Sequence, residues 1–434
     1  MGDEMPSSLP RWPTRRTSER HQMNSLYDRA LEAEAQIVTF HTWHRRAVRN
    51  VTWLPHAWHV HESLIARLPM LSWLAPIGFI MWVFLILPMF ALREAWQLGQ
   101  ARRRAPPEPL MSGRSVYLGT SISDMLPAVA KSVPVPDVYL ALPWRTLPQN
   151  LPFQMKVMDL AGHVQARDVR VALATAWTST LRHCLTPAKQ HLVLYGYMGF
   201  RWHLVYLVLK RIAPAELWIS NHYDRWAILV DGIGVACKTM VQHGQLKMQS
   251  KAERITVGFK PDPKLKGHWR LLHFTPNALS EFTDFVFNSP PYEQISFAPE
   301  FEVFDTETDK PVVLMVGSPH IQRDQMAELK ALRQAFGSRF VLYYRPHPRA
   351  GTRSIDATLQ DVNATVVPRR LPRGALCITY PSTLNDSLER LGIAPLFDFD
   401  YSLTEEVIVT RKALHEHLAE SLGRKPQERC ECAE

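Results

Sequence analysis

Three junctions in this sequence put polar side chains where an apolar, β-forming run stops. Thr239–Gln242 reads as a strand that delivers His243 beside Gly244. An imidazole titrates near neutrality, so a histidine presented there is suited to take a proton from an attacking hydroxyl. The plainer alternative is a loop histidine next to a turn glycine. Phe340–Tyr344 runs into Arg345-Pro346-His347-Pro348-Arg349. Two prolines stiffen this loop, so Arg345, His347 and Arg349 offer donors to a phosphate at little ordering cost, unless the loop is only a structural turn. Leu376–Tyr380 leads into Pro381-Ser382-Thr383-Leu384-Asn385-Asp386. Thr383 and Asp386 have capping-box spacing, and the same helix start leaves backbone N–H groups free for an anion.

Three further places belong with these. The strand Val312–Val316 ends in Gly317-Ser318, candidates for phosphate contact like Arg345 and Ser382, and the strand Leu217–Ser220 is followed by Asn221 and Asp224, which with Gly244 are secondary candidates. Asp398-Phe399-Asp400 has the spacing of a metal-binding Asp-X-Asp, but a solvated loop accounts for it. His56, His59 and His61 share no helical face, and the cysteines lack zinc spacing. Cys184, Cys237 and Cys377 read as small buried hydrophobes in a reducing compartment. Neither a metal nor a cofactor is expected. No P-loop, no GxGxxG after the first strand, no GxSxG and no HExxH occurs, which argues against NTPase, dinucleotide oxidoreductase, α/β-hydrolase and zincin chemistry.

The elements that must position these residues alternate between strand and helix. After residue 113 the reading gives strands at Ser115–Leu118, Phe153–Leu160, His191–Tyr195, Leu217–Ser220 and Thr239–Gln242. Helices fall between them at 166–183, 200–212 and Asp224–Gly234. A second series runs from Val312–Val316 through a helix at Arg323–Phe336 to strands at Phe340–Tyr344, Ala364–Val367, Leu376–Tyr380 and Ala394–Phe399. A helix at Asn385–Leu391 lies within that series, and another at Arg411–Leu422 is expected to cross back to the first domain. This is an α/β pattern of two Rossmann-like, doubly wound domains, with ligands at the carboxyl ends of the strands.

Leu68–Leu92 contains no charged residue. As a helix its length would cover about 37 Å, enough for a hydrocarbon core of about 30 Å. Pro76 and Pro88 make it a kinked single span or, alternatively, a re-entrant or hairpin anchor. Arg93, Arg102, Arg103 and Arg104 flank its far end, so the positive-inside rule puts the rest of the chain in the cytoplasm of a bacterial inner membrane. The expected organisation is a flexible or interfacial segment (1–67), one transmembrane helix (68–92) and a basic, proline-rich linker (93–112). An acceptor-side α/β domain (113–303), a nucleotide-donor α/β domain (304–424) and a tail (425–434) follow. The formal charge of +9 favours anionic partners, but the cations are too dispersed for a nucleic-acid site.

The order of motifs, Gln242-His243-Gly244, then Arg345-Pro346-His347-Pro348, then Tyr380-Pro381-Ser382-Thr383, resembles GT-B-fold transferases that use cytidine-nucleotide donors. CDP-glycerol glycerophosphotransferases are nearest, and bacterial sialyl- and polysialyltransferases of capsule synthesis are more distant. The resemblance covers roughly residues 190–400. It implies that His243 is the candidate base, that His347 contacts donor phosphate, and that Ser382 and Thr383 hold the nucleotide phosphate. It departs in three places: the acidic motif of the sialyltransferases is absent, the hydroxyl pair reads Ser-Thr, and the transmembrane segment is one that soluble or peripherally bound relatives do not require. The implied protein moves a sugar or polyol phosphate to a glycan or lipid-linked acceptor of a surface polysaccharide. The alternative is a non-catalytic membrane scaffold that keeps a degenerate transferase fold. On the sequence reading, a C-terminal reporter is active only in the cytoplasm and an N-terminal one only on the far side of the membrane, which paired fusions measure.

Overall fold

A computed structural model describes residues 15–43, 75–105, 113–120, 125–148, 151–222, 224–242, 264–275, 278–298, 301–317, 322–347, 355–368, 370–379, 388, 391, 393, 395–398, 415–416 and 418–420. Within them the protein is α/β and built on parallel sheets. The first comprises β1 (Ser115–Leu118), β2 (Val138–Ala141), β3 (Lys156–Asp159), β4 (Glu216–Ile219), β5 (Cys237–Val241), β6 (Trp269–His273) and β7 (Glu293–Ser296). Their order is β3-β2-β1-β4-β5-β6-β7 with every pairing parallel. Next, β8 (Glu302–Phe304) pairs with β12 (Arg370–Pro372) in a small two-stranded ribbon. The remaining strands are β9 (Val312–Val316), β10 (Val341–Arg345), β11 (Ala364–Val366), β13 (Leu376–Thr379) and β14 (Pro395–Asp398). They form a second parallel sheet in the order β11-β10-β9-β13-β14.

Both orders run outward from the first strand and then reverse, which is compatible with Rossmann-like winding. The strand sequences explain this. β2 and β9 are buried at every position, the mark of strands covered on both faces. One face of the first sheet packs with Leu118, Leu140, Trp202 and Ile228; the other packs with Tyr117, Tyr139, Trp218 and Phe274. The second sheet has its own core around Leu314, Leu342 and Ile378. Leu418, fully buried, belongs to that second core, and His415 bonds Glu328 at 3.3 Å. The described part of the C-terminal helix therefore docks on the second sheet and does not cross back to the first domain.

Five strands escape the sequence reading: β2, β6, β7, β8 and β12. Of these, β7 is an edge strand exposed along most of its length, so it carries no hydrophobic alternation. Conversely, the expected strand His191–Tyr195 lies inside a 3-10 helix, Pro187–Met198, followed directly by a helix at Gly199–Ile212. Leu192, Val193 and Tyr195 are buried there, so tertiary packing satisfies the apolar run without a sheet.

The first helix, α1 (Arg15–Trp43), lies in a segment expected to be flexible or interfacial. Met23, Leu26, Tyr27, Ala30 and Leu31 are instead part of the first sheet's core. Its polar residues hold it there too. Asp28 accepts from His183 at 2.8 Å and from Lys189 at 2.5 Å, and these partners hold its carboxyl below the usual range against the opposing effect of burial. Arg29 donates to the Lys264 carbonyl at 2.9 Å. Glu34 grips Arg225 with two oxygens, at 2.9 and 2.8 Å.

The described part of the apolar segment is helical as α2 (Ala75–Met81), a π-helical turn (Trp82–Ile86) and α3 (Leu87–Arg104). The π turn has a cause in the sequence. Pro88 has no N–H to return to Phe84, and the ladder steps instead from Leu87 N–H to the Trp82 carbonyl. Among the described residues, two stretches are long and apolar enough to cross a membrane, Ile77–Arg104 and Pro187–Ile212. In the most apolar 18 residues of each, 61% of the second are buried inside the protein, as befits a core helix, and only 17% of the first.

Arg225 and Glu34 are 2% and 6% exposed, so each depends on the other for its charge. Glu34→Ala strands a buried guanidinium and should cost about 3–5 kcal/mol. Glu34→Leu with Arg225→Met should recover most of that loss, as read by chemical denaturation of the detergent-extracted protein.

Candidate functional site

The strand order of the first sheet reverses between β1 and β4, and polar groups gather at their carboxyl ends. The Tyr117 hydroxyl lies 2.5 Å from Ser220 Oγ. Thr120 Oγ1 donates to Asn221 Oδ1 at 2.5 Å, and Asn221 Nδ2 donates to Asp224 Oδ2. Asp224 Oδ1 accepts from the backbone N–H of Trp226 at 2.9 Å and of Ala227 at 3.1 Å, capping α4 (Arg225–Asp231). A carboxylate at a helix start is ordinary capping, yet this one is buried. Burial pushes its carboxyl up to about 6, the Glu34 carboxylate adds to the rise, and the capping N–H groups oppose it. Part of the residue's surface stays open at the sheet edge, where water moderates the effect.

Gln242, the residue before His243, ends β5 with a structural task. Its Oε1 accepts from Phe274 N–H at 2.9 Å and its Nε2 donates to Thr275 Oγ1 at 2.9 Å, which pins the end of β5 to that of β6. The chain therefore leaves β5 at the carboxyl edge of the sheet, one strand from the strand that precedes Asn221. His243 and Gly244 lie outside the described residues, as do Ser318, Arg349, Ser382 and Thr383.

In the second sheet the described candidates are Gly317, Arg345 and His347, at or just past the ends of the neighbouring strands β9 and β10. Arg345 is half-buried with its guanidinium 4.7 Å over the Phe301 ring. Stacking fixes the plane of that fork. Burial pushes the Cys377 thiol on β13 well up, with the Arg345 charge opposing, so this cysteine stays a neutral thiol. His347 is half-buried two residues beyond the strand.

Gly317 is there for space. Its N–H donates to the Arg345 carbonyl at 2.7 Å, and a Cβ would collide with the Tyr344 hydroxyl. Gly119 repeats the arrangement after β1: its N–H donates to the Leu140 carbonyl at 3.0 Å, and a Cβ would lie 2.6 Å from the Tyr139 hydroxyl. Each sheet thus starts with a strand, a glycine pressed on the second strand, and a hydroxyl residue, Thr120 or Ser318. Sequence reasoning picked out Gly317 and missed Gly119 and Thr120. The shared pattern of apolar strand, Gly and Ser or Thr was the signal that would have found them.

A cavity of about 350 Å³ opens beside β2 and β3, also unforeseen from the sequence. Arg104 at the end of α3, Arg145 after β2 and Asp159 at the end of β3 line it, with Leu142, Leu147 and Val157. Burial raises the Asp159 carboxyl, and the Ala161 N–H opposes that. Among the described residues no group of three His, Cys, Asp or Glu is placed to hold a metal ion. No protein-family model and no curated protein matches this chain.

Asp224 has a pH signature. Its folded pKa lies above the ordinary 3.8, so the folded protein binds the extra proton between the two values. The stability this adds is complete below about pH 4 and is lost as pH rises through about 6. Asp224→Asn, which keeps the capping oxygen, should flatten that slope, on the order of 2 kcal/mol, in denaturant midpoints measured from pH 4 to 7.

Proposed function

We propose that the chain is a membrane-associated transferase of GT-B type, acting at the cytoplasmic face of a bacterial inner membrane. It moves a sugar or polyol phosphate from a cytidine- or related nucleotide-activated donor to a glycan or lipid-linked acceptor. One observation carries the reading. Two parallel sheets in one chain share the order 3-2-1-4-5, and each opens with the same strand–glycine junction at the edge where doubly wound folds take ligands. The described site candidates, Asn221, Asp224, Gly317, Arg345 and His347, each follow or end a strand on that side.

In this reading His243 takes the proton of the acceptor hydroxyl as its oxygen attacks the donor. For glycerophosphate transfer the new bond is oxygen to phosphorus, and the nucleoside monophosphate leaves with the bridging oxygen. For glycosyl transfer the attack falls on the anomeric carbon, whose bond to the phosphate oxygen breaks as the nucleotide leaves with that oxygen. Arg345, His347 and Arg349 offset the charge growing on the leaving phosphate, and Ser382 and Thr383 hold it. The cavity lined by Arg104 and Arg145 is the acceptor-side space.

The test is to incubate the detergent-extracted protein with CDP-glycerol and a panel of CMP- and UDP-sugars and to follow nucleotide release. His347→Ala should weaken donor binding roughly ten- to over a hundredfold, the loss of one charge-assisted hydrogen bond. His243→Ala should leave donor affinity in place and lower turnover by about 10²–10⁴. Full turnover by the His243→Ala protein, or binding of none of these donors, rejects the reading.

A further inference from the structure

The apolar helix does not stand free of the first domain. Val83 and Leu87 are buried with Val193, and Trp82 Nε1 donates to the Val193 carbonyl at 3.2 Å. Phe84 meets the Trp177 ring edge-on at 5.9 Å, and Phe90 meets Tyr197 at 6.2 Å. Further along, Glu94 pairs with Arg201 at 2.7 Å and Leu98 is buried. Contacts from Trp82 to Leu98 hold about 25 Å of helix flat on the protein.

That docking conflicts with a transbilayer path. In a span of residues 68–92 the midpoint falls near Ile80, a few residues from Trp82 and Val83. Those two pack on Val193, and only two to four residues before it stand Lys189, Gln190 and His191, of which Gln190 and His191 are exposed. Lys189 and the neighbouring Arg182 are paired with Asp28. A span in this arrangement would drag that charged cluster toward the bilayer centre, where each such group is costly.

The face turned away from the domain is a different surface. Ile77, Ile80, Met81, Phe84, Leu85, Met89, Leu92 and Trp96 form one stripe at helical spacing, each 44–66% exposed. Leu185, 83% exposed, follows Cys184, which packs against the helix. The exposed arginines Arg102 to Arg104 form its carboxyl end, and exposed Arg93 lies beside the stripe. An apolar stripe with a tryptophan and a cationic end matches a leaflet of anionic lipid in both hydrophobicity and charge.

We infer that this helix lies in the membrane plane as a keel of the first domain, its stripe dipped into one leaflet, and does not cross. The inference concerns topology and stands whether or not the chain is a transferase.

Epitope tags at the two ends of the full chain, probed with protease in spheroplasts and in everted inner-membrane vesicles, read the topology. Both tags should be cleaved only in everted vesicles. Cleavage of the N-terminal tag in intact spheroplasts means a span and overturns the inference. Purified protein should also bind phosphatidylglycerol vesicles, more weakly at high salt. Met89→Glu with Leu92→Glu, two stripe residues, should weaken vesicle binding roughly a hundredfold with an unchanged melting curve. If that variant binds vesicles normally but halves the molecular mass in solution, the stripe is a contact between two copies and the inference fails. Should it prove unstable, Arg102→Ala with Arg103→Ala leaves the stripe intact and should still lower binding at low salt; unchanged binding then counts against the inference.

Discussion

The buried guanidinium of Arg225 is the constraint around which the helical face of the first sheet is arranged. A charge with so little access to water needs partners on every side. Glu34 supplies two oxygens, the Tyr197 hydroxyl lies 3.3 Å away, and the Tyr197 ring sits 5.1 Å beneath the guanidinium. Together these hold its pKa above the ordinary arginine value, the Glu34 charge outweighing burial. Glu34 arrives on α1 and Tyr197 on the 3-10 helix; Arg225 itself begins α4. One side chain therefore joins three elements that are distant in sequence, and α4 also sets Asp224 and Asn221 at the sheet edge. The second buried pair, Glu94 with Arg201, attaches α3 to the same layer.

This arrangement links the apolar helix to the candidate site. α3 is positioned by the helices that also cover the switch point between β1 and β4. Its last turn supplies Arg104 to the cavity beside β2 and β3. On the function proposed above, a lipid-linked acceptor and a donor bound at strand ends would meet across one packed layer of helices.

The two sheets repeat one solution to a local problem. A doubly wound sheet must let its first strand leave the layer close to the second, and a side chain at that exit would strike the tyrosine of the neighbouring strand. Glycine resolves this at 119 and 317, and the next residue is a hydroxyl in both. The repetition is too short to register as a sequence repeat; it becomes visible once strand neighbours are known.

The α/β class, the parallel winding and most strands were legible in the sequence because covered strands are apolar at nearly every position. β1 and β9 are clear cases. The three described candidates of the second sheet were legible because Gly, Arg and His end conspicuous apolar runs. Edge strand β7 was not legible, since its residues meet water and leave no pattern. His191–Tyr195 misled because an apolar run states only that it is buried, not in which backbone form. The sequence by itself determined that residues 68–92 carry no charge and are rich in large apolar side chains. Which face of the described helix meets the rest of the protein depends on where Val193, Tyr197 and Arg201 come to lie, and that the tertiary structure decided, because only packing places a helix beside its neighbours.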